Sequence, residues 1–420
     1  MHYYLNKNQL FISLEAVNVE GLVETNEAFA KTYAGTIYAL TSLDPALSRR
    51  AFIVASAKEL FIKKEDLSLL TEERDKLTTF PLWLEKAIRE KRVISLNMEY
   101  PNFKEAINKT TPAKWRVHVV GLGDVGATLL TGLRLLGAKE IETLGIYDLD
   151  KNKMKRLHFE LNQILSCDGT EGSIQIEELT EKDLFNCDLF VFCVSVGIPP
   201  VGSKGVDVRL IQFEGNRKIL KNYGLQGRKA NYKGLFAVVS DPVDLLCMSL
   251  FEDSNKNEEG NFDFLGLAPE QIKGYGLGVM NARAAYFSQD NPLTMNYLKE
   301  GRAFGPHGEG LVIANSIINY DEAASKELTK KTKEANLMVR DTGYKPYIAP
   351  ALSSGALSLL DTIRGNFHYS SNFLGGVYMG SKNRFLKGCT ENEVLPLPEG
   401  LMKTLEETYV LLKELMNKKQ

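Results

Sequence analysis

The chain has 420 residues, which at about 150 residues per domain corresponds to two or three domains. Hydrophobic residues make up 44% and charged residues 25%, and this composition excludes collagen-like, coiled-coil and wholly disordered proteins. The 51 lysines and arginines nearly balance the 53 aspartates and glutamates, and no segment concentrates basic charge. We therefore expect no nucleic-acid partner.

The sequence shows no targeting or membrane segment. It opens with MHYYLNK, which lacks a basic stretch followed by an apolar one, and no apolar run approaches the ~20 residues of a membrane-spanning helix. We expect a cytoplasmic protein with no membrane partner. The five cysteines form no CxxC pair, so we expect reduced packing residues and no metal site.

The first 112 residues mix two kinds of pattern and carry no recognisable motif. Leu10–Val17 has the pattern of a strand, and Phe80–Lys91 that of an amphipathic helix. We predict an extra α/β or α+β region over residues 1–112, whose role the sequence leaves open. The composition changes near Asn108–Pro112.

Strand and helix patterns alternate after this point. Trp115–Val120 predicts an apolar strand, and after a glycine turn the pattern predicts a helix from about Asp124 to Leu136. Further strands are predicted at Thr143–Tyr147, Ser173–Ile176, Asp188–Val194, Leu235–Val239 and Gly274–Gly278. Such alternation predicts an α/β fold, a doubly wound parallel sheet of the Rossmann type.

The glycine turn has the spacing of a dinucleotide-binding motif. Gly121–Gly126 reads GLGDVG, and Asp148 follows 22 residues after Gly126, at the end of the next predicted strand. The first glycine permits a tight turn, the second lets a diphosphate approach the backbone, and the third lets helix pack on strand. Asp148 suits the adenosine ribose and repels a 2′-phosphate, so NAD is favoured over NADP.

The candidate cofactor-binding residues all lie in this motif: Gly121, Gly123, Asp124, Val125, Gly126 and Asp148. Asp124 suits the first turn of a helix, yet it stands close to the expected phosphate charge, so we expect its side chain to point to solvent. A strand–turn–helix without any ligand stays open as the alternative.

Five segments, in this order, resemble the lactate/malate dehydrogenase family. They are GLGDVG with Asp148, CDLFVFCVSVGIPP (Cys187–Pro200), VVSDPVDLL (Val238–Leu246), GVMNAR (Gly278–Arg283) and GPHGEG (Gly305–Gly310). The resemblance covers roughly Lys114 to the C-terminus. It implies a dinucleotide-binding domain over residues 113–278, an α+β substrate or catalytic domain over 279–420, and a homo-oligomer, either a dimer or a tetramer.

The resemblance also implies two site residues. His307, in GPHGEG, matches the catalytic histidine that exchanges a proton with the substrate oxygen, a task that suits an imidazole near neutral pH. Arg283 matches the arginine that holds the substrate carboxylate, which a planar guanidinium can do through two parallel hydrogen bonds.

Two positions depart from the family pattern in complementary ways. Met280 stands where the family carries the aspartate that orients the histidine, and Asp241 stands where the family carries asparagine. Loss of an orienting aspartate in a Ser-His-Asp triad lowers turnover about 10⁴-fold. We therefore hypothesise that Asp241 supplies the missing carboxylate to His307. Two unrelated losses in a decaying site are the open alternative.

A third departure lies in the loop after Pro199–Pro200. The family polarises the substrate carbonyl there with an arginine, whereas ungapped matching from a predicted helix at Val208–Lys221 places Asp207 at that position. Lys204 and Arg209 are nearby, and we take Arg209 as a candidate substrate-binding residue. Pro200 falls near the position that selects between lactate and malate, so no substrate can be named.

Two remaining features lie toward the C-terminus. Pro398–Lys419 carries an apolar stripe and predicts a helix that packs on the dehydrogenase-like core. Lys345 falls near the part of the family that lines the substrate pocket, although a solvent-exposed lysine is the simpler interpretation.

These observations support two functional hypotheses. The first is an NAD-dependent oxidoreductase acting on a small 2-hydroxy or 2-oxo carboxylate, with Arg283, His307 and Asp241 in its site. The second is a non-catalytic NAD-binding protein with a sensor or assembly role. Both imply NADH binding, and only the first implies turnover.

Overall fold

The structure, a computed structural model, describes residues 1–72, 80–165, 174–196 and 208–417, with the backbone alone at 208–211. Two mixed sheets organise these residues. The first sheet and its helices are formed by β1 (His2–Asn6), β2 (Gln9–Ser13), β3 (Val23–Thr25), α1 (Glu27–Thr32), β4 (Ile37–Thr41), β5 (Ala51–Ile53), α2 (Leu82–Arg89) and β6 (Val93–Asn97). Its strand order is β3-β1-β2-β4-β6-β5.

The first sheet is the extra N-terminal α/β region. Its centre is parallel, since β2, β4 and β6 run in the same direction, and its two edges are antiparallel. Helix α2 buries Leu84, Ala87 and Ile88 in the core beside these strands. The strand predicted over Leu10–Val17 is present as β2 but ends at Ser13, and Leu14 is exposed.

The second sheet contains nine strands: β7 (Trp115–Val120), β8 (Ile141–Tyr147), β9 (Gln175–Glu178), β10 (Leu189–Phe192), β11 (Leu235–Val238), β12 (Ile272–Gly274), β15 (His368–Leu374), β16 (Val377–Leu386) and β17 (Cys389–Asn392). Their order across the sheet is β17-β16-β15-β12-β11-β10-β7-β8-β9. A separate two-stranded sheet pairs β13 (Arg302–Phe304) with β14 (Val312–Ala314).

Helices cover the larger sheet. They are α3 (Asp124–Leu136), α4 (Lys151–Asn162), α5 (Val208–Lys229), α6 (Val243–Ser254), α7 (Leu277–Phe287), α8 (Tyr297–Glu300), α9 (Glu322–Asp341), α10 (Ser358–Arg364) and α11 (Glu399–Asn417). A π-helical segment, Pro350–Leu357, leads into α10. Across the described ranges, no helix is both long enough and apolar enough to cross a membrane.

Six neighbouring strands, in the spatial order β9-β8-β7-β10-β11-β12, form the predicted doubly wound parallel sheet. All neighbouring pairs among them are parallel. β7 lies in the middle, with β8 and β9 on one side and β10, β11 and β12 on the other. Along β10, Leu189 and Val191 face one core, and Phe190 and Phe192 face the other. Both faces of the strand are therefore buried, as parallel sheets require.

One strand prediction is partly wrong. The pattern over Gly274–Gly278 predicted a strand, but β12 ends at Gly274 and α7 begins at Leu277. A short apolar run does not distinguish a buried strand from a buried helix, so the sequence pattern alone could not place this boundary. The strand predicted at Ser173–Ile176 begins outside the described residues and is otherwise present as β9.

The C-terminal third of the chain extends the large sheet with antiparallel strands. β15 pairs with β12 at Ser371 and Gly274, and β16 and β17 follow. Helix α11 confirms the helix predicted at Pro398–Lys419, and its apolar stripe is buried at Leu401, Leu405, Leu412 and Met416. The division of the chain after residues 112 and 278 stays a prediction.

Candidate active site

The turn between β7 and α3 has the geometry of a dinucleotide-binding loop. Gly121 has φ of 86°, and an added Cβ there would lie 2.6 Å from the Val194 backbone nitrogen. A Cβ at Gly126 would lie 2.0 Å from the Gly121 carbonyl oxygen. A Cβ at Gly123, in contrast, would meet nothing within 4 Å. Two glycines are thus required by the fold, and the third keeps the surface beside it open.

Asp148 lies beside this loop at the end of β8. Its carboxylate accepts hydrogen bonds from the Leu122 backbone N–H at 2.7 Å and from the Asp150 backbone N–H at 2.9 Å. These bonds fix its position, and each carboxylate oxygen keeps a further acceptor site. The open backbone at Gly123, the amino end of α3 and this carboxylate fit the diphosphate and ribose of NAD.

Asp124 is exposed, as expected, but it is not isolated in solvent. Its carboxylate pairs with the Lys345 ammonium at 3.2 Å, and the Lys345 side chain is 82% exposed. The Lys345 ammonium therefore offsets the negative charge of Asp124, which lies close to the expected position of the cofactor phosphates. Val125 follows in α3 and lines the adjoining cleft.

A cleft of about 880 Å³ adjoins this loop at the carboxyl ends of the parallel strands. Ligands of open α/β sheets bind at this edge of the sheet. Besides Val125, the cleft brings together three residues predicted for catalysis or substrate binding: Asp241, which precedes α6, Arg283 on α7 and His307 between β13 and β14.

The His307 ring contacts the Asp241 carboxylate. The distance from His307 Nδ1 to Asp241 Oδ1 is 3.2 Å, within the reach that the compensation hypothesis requires. An ionised carboxylate only accepts hydrogen bonds, so we assign the donating proton to Nδ1 and leave Nε2 for a ligand. The ring reaches this position because Gly276 has no side chain: a Cβ there would lie 2.9 Å from the His307 Cβ.

Asn216 on α5 holds the Asp241 backbone in place. Its side-chain amide donates to the Asp241 carbonyl oxygen at 2.7 Å, and its amide oxygen accepts from the Val196 backbone N–H at 2.8 Å. Asn216 is completely buried. One buried amide thus ties the loop after β10 to the segment that carries Asp241, a contact that sequence reasoning missed.

The Arg283 guanidinium has no carboxylate partner within the described part of the chain. Its Nη1 donates a hydrogen bond to the Met280 sulfur at 3.6 Å. Burial lowers the pKa of Arg283, and the Asp241 charge opposes this shift. A half-buried guanidinium that lines a cleft and lacks an ion pair is suited to receive an anionic group.

Sequence reasoning also missed Asp244, which lies three residues after Asp241. Burial raises the pKa of this carboxyl to about 7, although the Ser371 hydroxyl donates a hydrogen bond to it at 2.7 Å. Asp244 lines the same cleft. It is the second acidic residue of VVSDPVDLL and was visible in the sequence, but its hydrogen-bond partner Ser371 comes from the distant strand β15.

Two helices from the C-terminal part of the chain complete the cleft. Lys333, Asn336 and Arg340 line it from α9, at spacings that place them on one helix face. Three leucines line it from α11: Leu411, Leu412 and Leu415. One wall of the cleft is therefore polar and cationic, and the other is apolar.

The remaining predicted site residues lie outside the part that the structure describes. Pro199–Pro200, Lys204 and Asp207 fall in the undescribed segment 197–207, and Arg209 belongs to α5 only by its backbone. Their roles stay predictions. Among the described residues, no cluster of three or more His, Cys, Asp or Glu side chains could hold a metal ion.

The different surroundings of Gly123 and Gly126 lead to a paired prediction. Gly123→Val should weaken NADH binding at least about 10-fold with little change in Tm, because the new side chain enters open space where the diphosphate belongs. Gly126→Val should lower Tm, because its side chain collides with the Gly121 carbonyl. Fluorescence titration and thermal unfolding measure the two effects, and unchanged NADH affinity in Gly123→Val would contradict the assignment.

Comparison with known proteins agrees with this geometry. Residues 115–263 match the family model described as lactate/malate dehydrogenase, NAD binding domain. The L-lactate dehydrogenase of Staphylococcus epidermidis is 23% identical over 331 residues, covering 72% of this chain and 98% of that protein. The L-lactate dehydrogenase of Mycoplasma genitalium is 23% identical over 224 residues, covering 53% of this chain and 64% of that protein.

Solved structures show the same fold. The minor L-lactate dehydrogenase of Enterococcus mundtii superposes with a TM-score of 0.58 at 17% identity, over 74% of this chain and 99% of that one. The malate dehydrogenase of Archaeoglobus fulgidus, solved in complex with NADH, superposes with a TM-score of 0.59 at 16% identity, over 72% and 99%.

The fold and the glycine turn define a protein with a Rossmann-type NAD-binding domain. Residues 115–263 match the NAD-binding domain of the lactate/malate dehydrogenase family, and residues 1–114 lie outside that match.

Proposed function

We propose that this protein is an NAD-dependent oxidoreductase that acts on a small 2-hydroxy or 2-oxo carboxylate. The observation that carries the proposal is the His307–Asp241 contact of 3.2 Å in the cleft that also contains Arg283. We assign proton transfer to His307, its orientation to Asp241 and anion binding to Arg283, and all three side chains line the cleft beside the dinucleotide loop. A homo-oligomer in the cytoplasm is part of the same proposal.

Arg283 anchors the substrate in this proposal. Its guanidinium binds the substrate carboxylate through two parallel hydrogen bonds, which fixes the direction of the neighbouring C–O bond. The Met280 sulfur is a weak acceptor and competes little for these donors. Fixing the substrate in a reactive orientation lowers the entropic part of the activation barrier.

His307 moves the proton. With Nδ1 donating to Asp241, Nε2 exchanges a proton with the substrate oxygen, releasing it during reduction of a carbonyl and accepting it during oxidation of a hydroxyl. Asp241 stabilises the charged ring and holds its orientation. NAD, when bound, supplies the hydride acceptor or donor at its nicotinamide ring.

The replacement of the family's aspartate by Met280 favours a second candidate, a non-catalytic NAD-binding protein. Both candidates are tested in one experiment. NADH binding is first established by fluorescence titration, and a panel of 2-oxo acids is then screened for NADH oxidation. Oxidation of at least one acid supports the enzyme, whereas NADH binding without oxidation across the panel supports the non-catalytic protein.

Arg283→Lys tests the anchoring role. Lysine retains the charge but loses the paired, planar donors, so we expect KM for the 2-oxo acid to rise at least about 10-fold. NADH affinity should stay within twofold, because Arg283 lies outside the glycine loop. Lys299→Gln, an exposed change at the end of α8, is the control. An unchanged KM in Arg283→Lys would remove this residue from the substrate site.

A further inference from the structure

Lys345 is a charged residue of the cleft that the proposed reaction does not use. It lies between α9 and the π-helical segment, whereas its partner Asp124 lies 221 positions earlier, at the first residue of α3. The ion pair between them therefore links the C-terminal part of the chain to the dinucleotide loop. Both Lys345 and Val125, the next residue of α3, line the cleft.

The amino end of α3 has no side-chain cap. Gly123 occupies the capping position, and Asp124 is the acidic residue of the first turn. Among the described residues, the hydrogen-bond partner of the Asp124 carboxylate is the Lys345 ammonium. The first backbone N–H groups of a helix have no intrahelical acceptor, and these groups bind phosphate. A diphosphate bound by them lies close to the Asp124 carboxylate.

This arrangement places several negative charges together. The diphosphate of NADH carries two negative charges and Asp124 adds a third, whereas the amino end of a helix supplies only roughly half a positive charge. In the described part of the chain, four cations line the cleft, and Lys345 is the one that contacts a residue of the dinucleotide loop. The other three are Arg283, Lys333 and Arg340.

The fold does not depend on the Lys345–Asp124 ion pair. The Lys345 side chain is 82% exposed and the Asp124 side chain is 52% exposed. Exposed ion pairs contribute little to stability, because water and salt screen them. The lysine stem is flexible, so its ammonium can pass from the carboxylate to a neighbouring phosphate oxygen without a change in the backbone.

We propose that Lys345 is a cofactor-binding residue whose ammonium binds a diphosphate oxygen of NADH. The backbone N–H groups of α3 bind the diphosphate from the dinucleotide loop, and Lys345 binds it from the segment after α9. Asp124 is a positioning residue that holds the ammonium at the loop before the cofactor binds. The proposal concerns cofactor binding alone, so it stands whether or not the cleft turns over a 2-oxo acid.

The test compares NADH and ADP-ribose binding by the full chain. Lys345→Gln should raise Kd for NADH about 10-fold, because a charge-assisted hydrogen bond to the diphosphate is lost. Kd for ADP-ribose, which keeps the diphosphate and lacks the nicotinamide, should rise by the same factor. Lys345→Arg should keep both Kd values within about threefold, since a guanidinium also binds phosphate.

Fluorescence titration measures NADH binding, and calorimetry measures ADP-ribose binding. An unchanged Kd for NADH in Lys345→Gln overturns the proposal. A loss confined to NADH, with ADP-ribose bound as by the parent chain, also overturns it, because the contact would then lie away from the diphosphate. Failure of Lys345→Arg to retain binding would overturn it as well, because the charge would then not be what binds.

A second background separates direct binding from screening of Asp124. In Asp124→Asn the carboxylate is absent, yet Lys345→Gln should still raise Kd for NADH at least about fivefold. Disappearance of the effect would show that Lys345 only screens Asp124, and the proposed contact would be wrong. Lys64→Gln is the matched control, because Lys64 is 81% exposed, pairs with Asp66 at 2.8 Å and does not line the cleft. Its NADH affinity should equal that of the parent, and Tm should be unchanged in both lysine variants.

Discussion

His307→Ala is expected to lower kcat/KM for the 2-oxo acid by about 10³-fold and to leave NADH affinity within twofold. General acid–base groups contribute typically 10²–10⁴-fold to rate, and His307 is the imidazole that lines the cleft. Its ring is 19% exposed and borders open space, so the truncation should change Tm little. Steady-state kinetics and NADH titration on the same preparation measure both effects.

His158→Ala is the matched control for this variant. His158 lies on α4, where its ring contacts the Asn162 side chain, and it does not line the cleft. It should retain the activity of the parent chain. If His307→Ala also retains that activity, the proton-transfer assignment is wrong, although the NAD-binding fold is unaffected by that result.

Asp241→Asn is expected to have the second largest effect, a fall in kcat of about 10²–10⁴-fold. The upper value is the loss seen when the orienting aspartate of a Ser-His-Asp triad becomes asparagine. The amide has nearly the same shape as the carboxylate, but it removes the charge that stabilises the protonated ring. It can also present an N–H to Nδ1, which favours the wrong tautomer.

The control for Asp241→Asn is Asp290→Asn, an equivalent change at an exposed position after α7. NADH affinity and Tm should be unchanged in both variants, so that a fall in kcat can be assigned to the His307 contact. A kcat within twofold of the parent for Asp241→Asn would show that this carboxylate does not assist the histidine. In that case the alternative of two unrelated losses at positions 241 and 280 would be supported.

The geometry gives the two departures a common physical interpretation. Asp241 and Met280 line the same cleft from different elements, the segment before α6 and helix α7. The carboxylate reaches His307 from the first of these, and the thioether on the second lies against Arg283. A carboxylate at position 280 would instead lie close to the Arg283 guanidinium. The observed arrangement leaves that guanidinium without an ion pair among the described side chains.

Local sequence determined the dinucleotide-binding unit. β7 and α3 occur within the predicted bounds, Trp115–Val120 and Asp124–Leu136, and Asp148 follows β8 as expected. These features depend on short-range patterns: an apolar strand, a glycine motif in which Gly121 and Gly126 tolerate no Cβ, and an amphipathic helix. Each pattern is complete within a few consecutive residues, so it can be recognised without knowledge of the rest of the fold.

The tertiary structure alone decided which distant residues meet. The His307–Asp241 contact joins residues 66 positions apart, and the cleft wall formed by α9 and α11 comes from segments that carry no motif. Residue patterns encode local conformation. Contacts between distant segments, and the burial of the Asp244 carboxyl, arise only when sheet order and helix packing place those segments side by side.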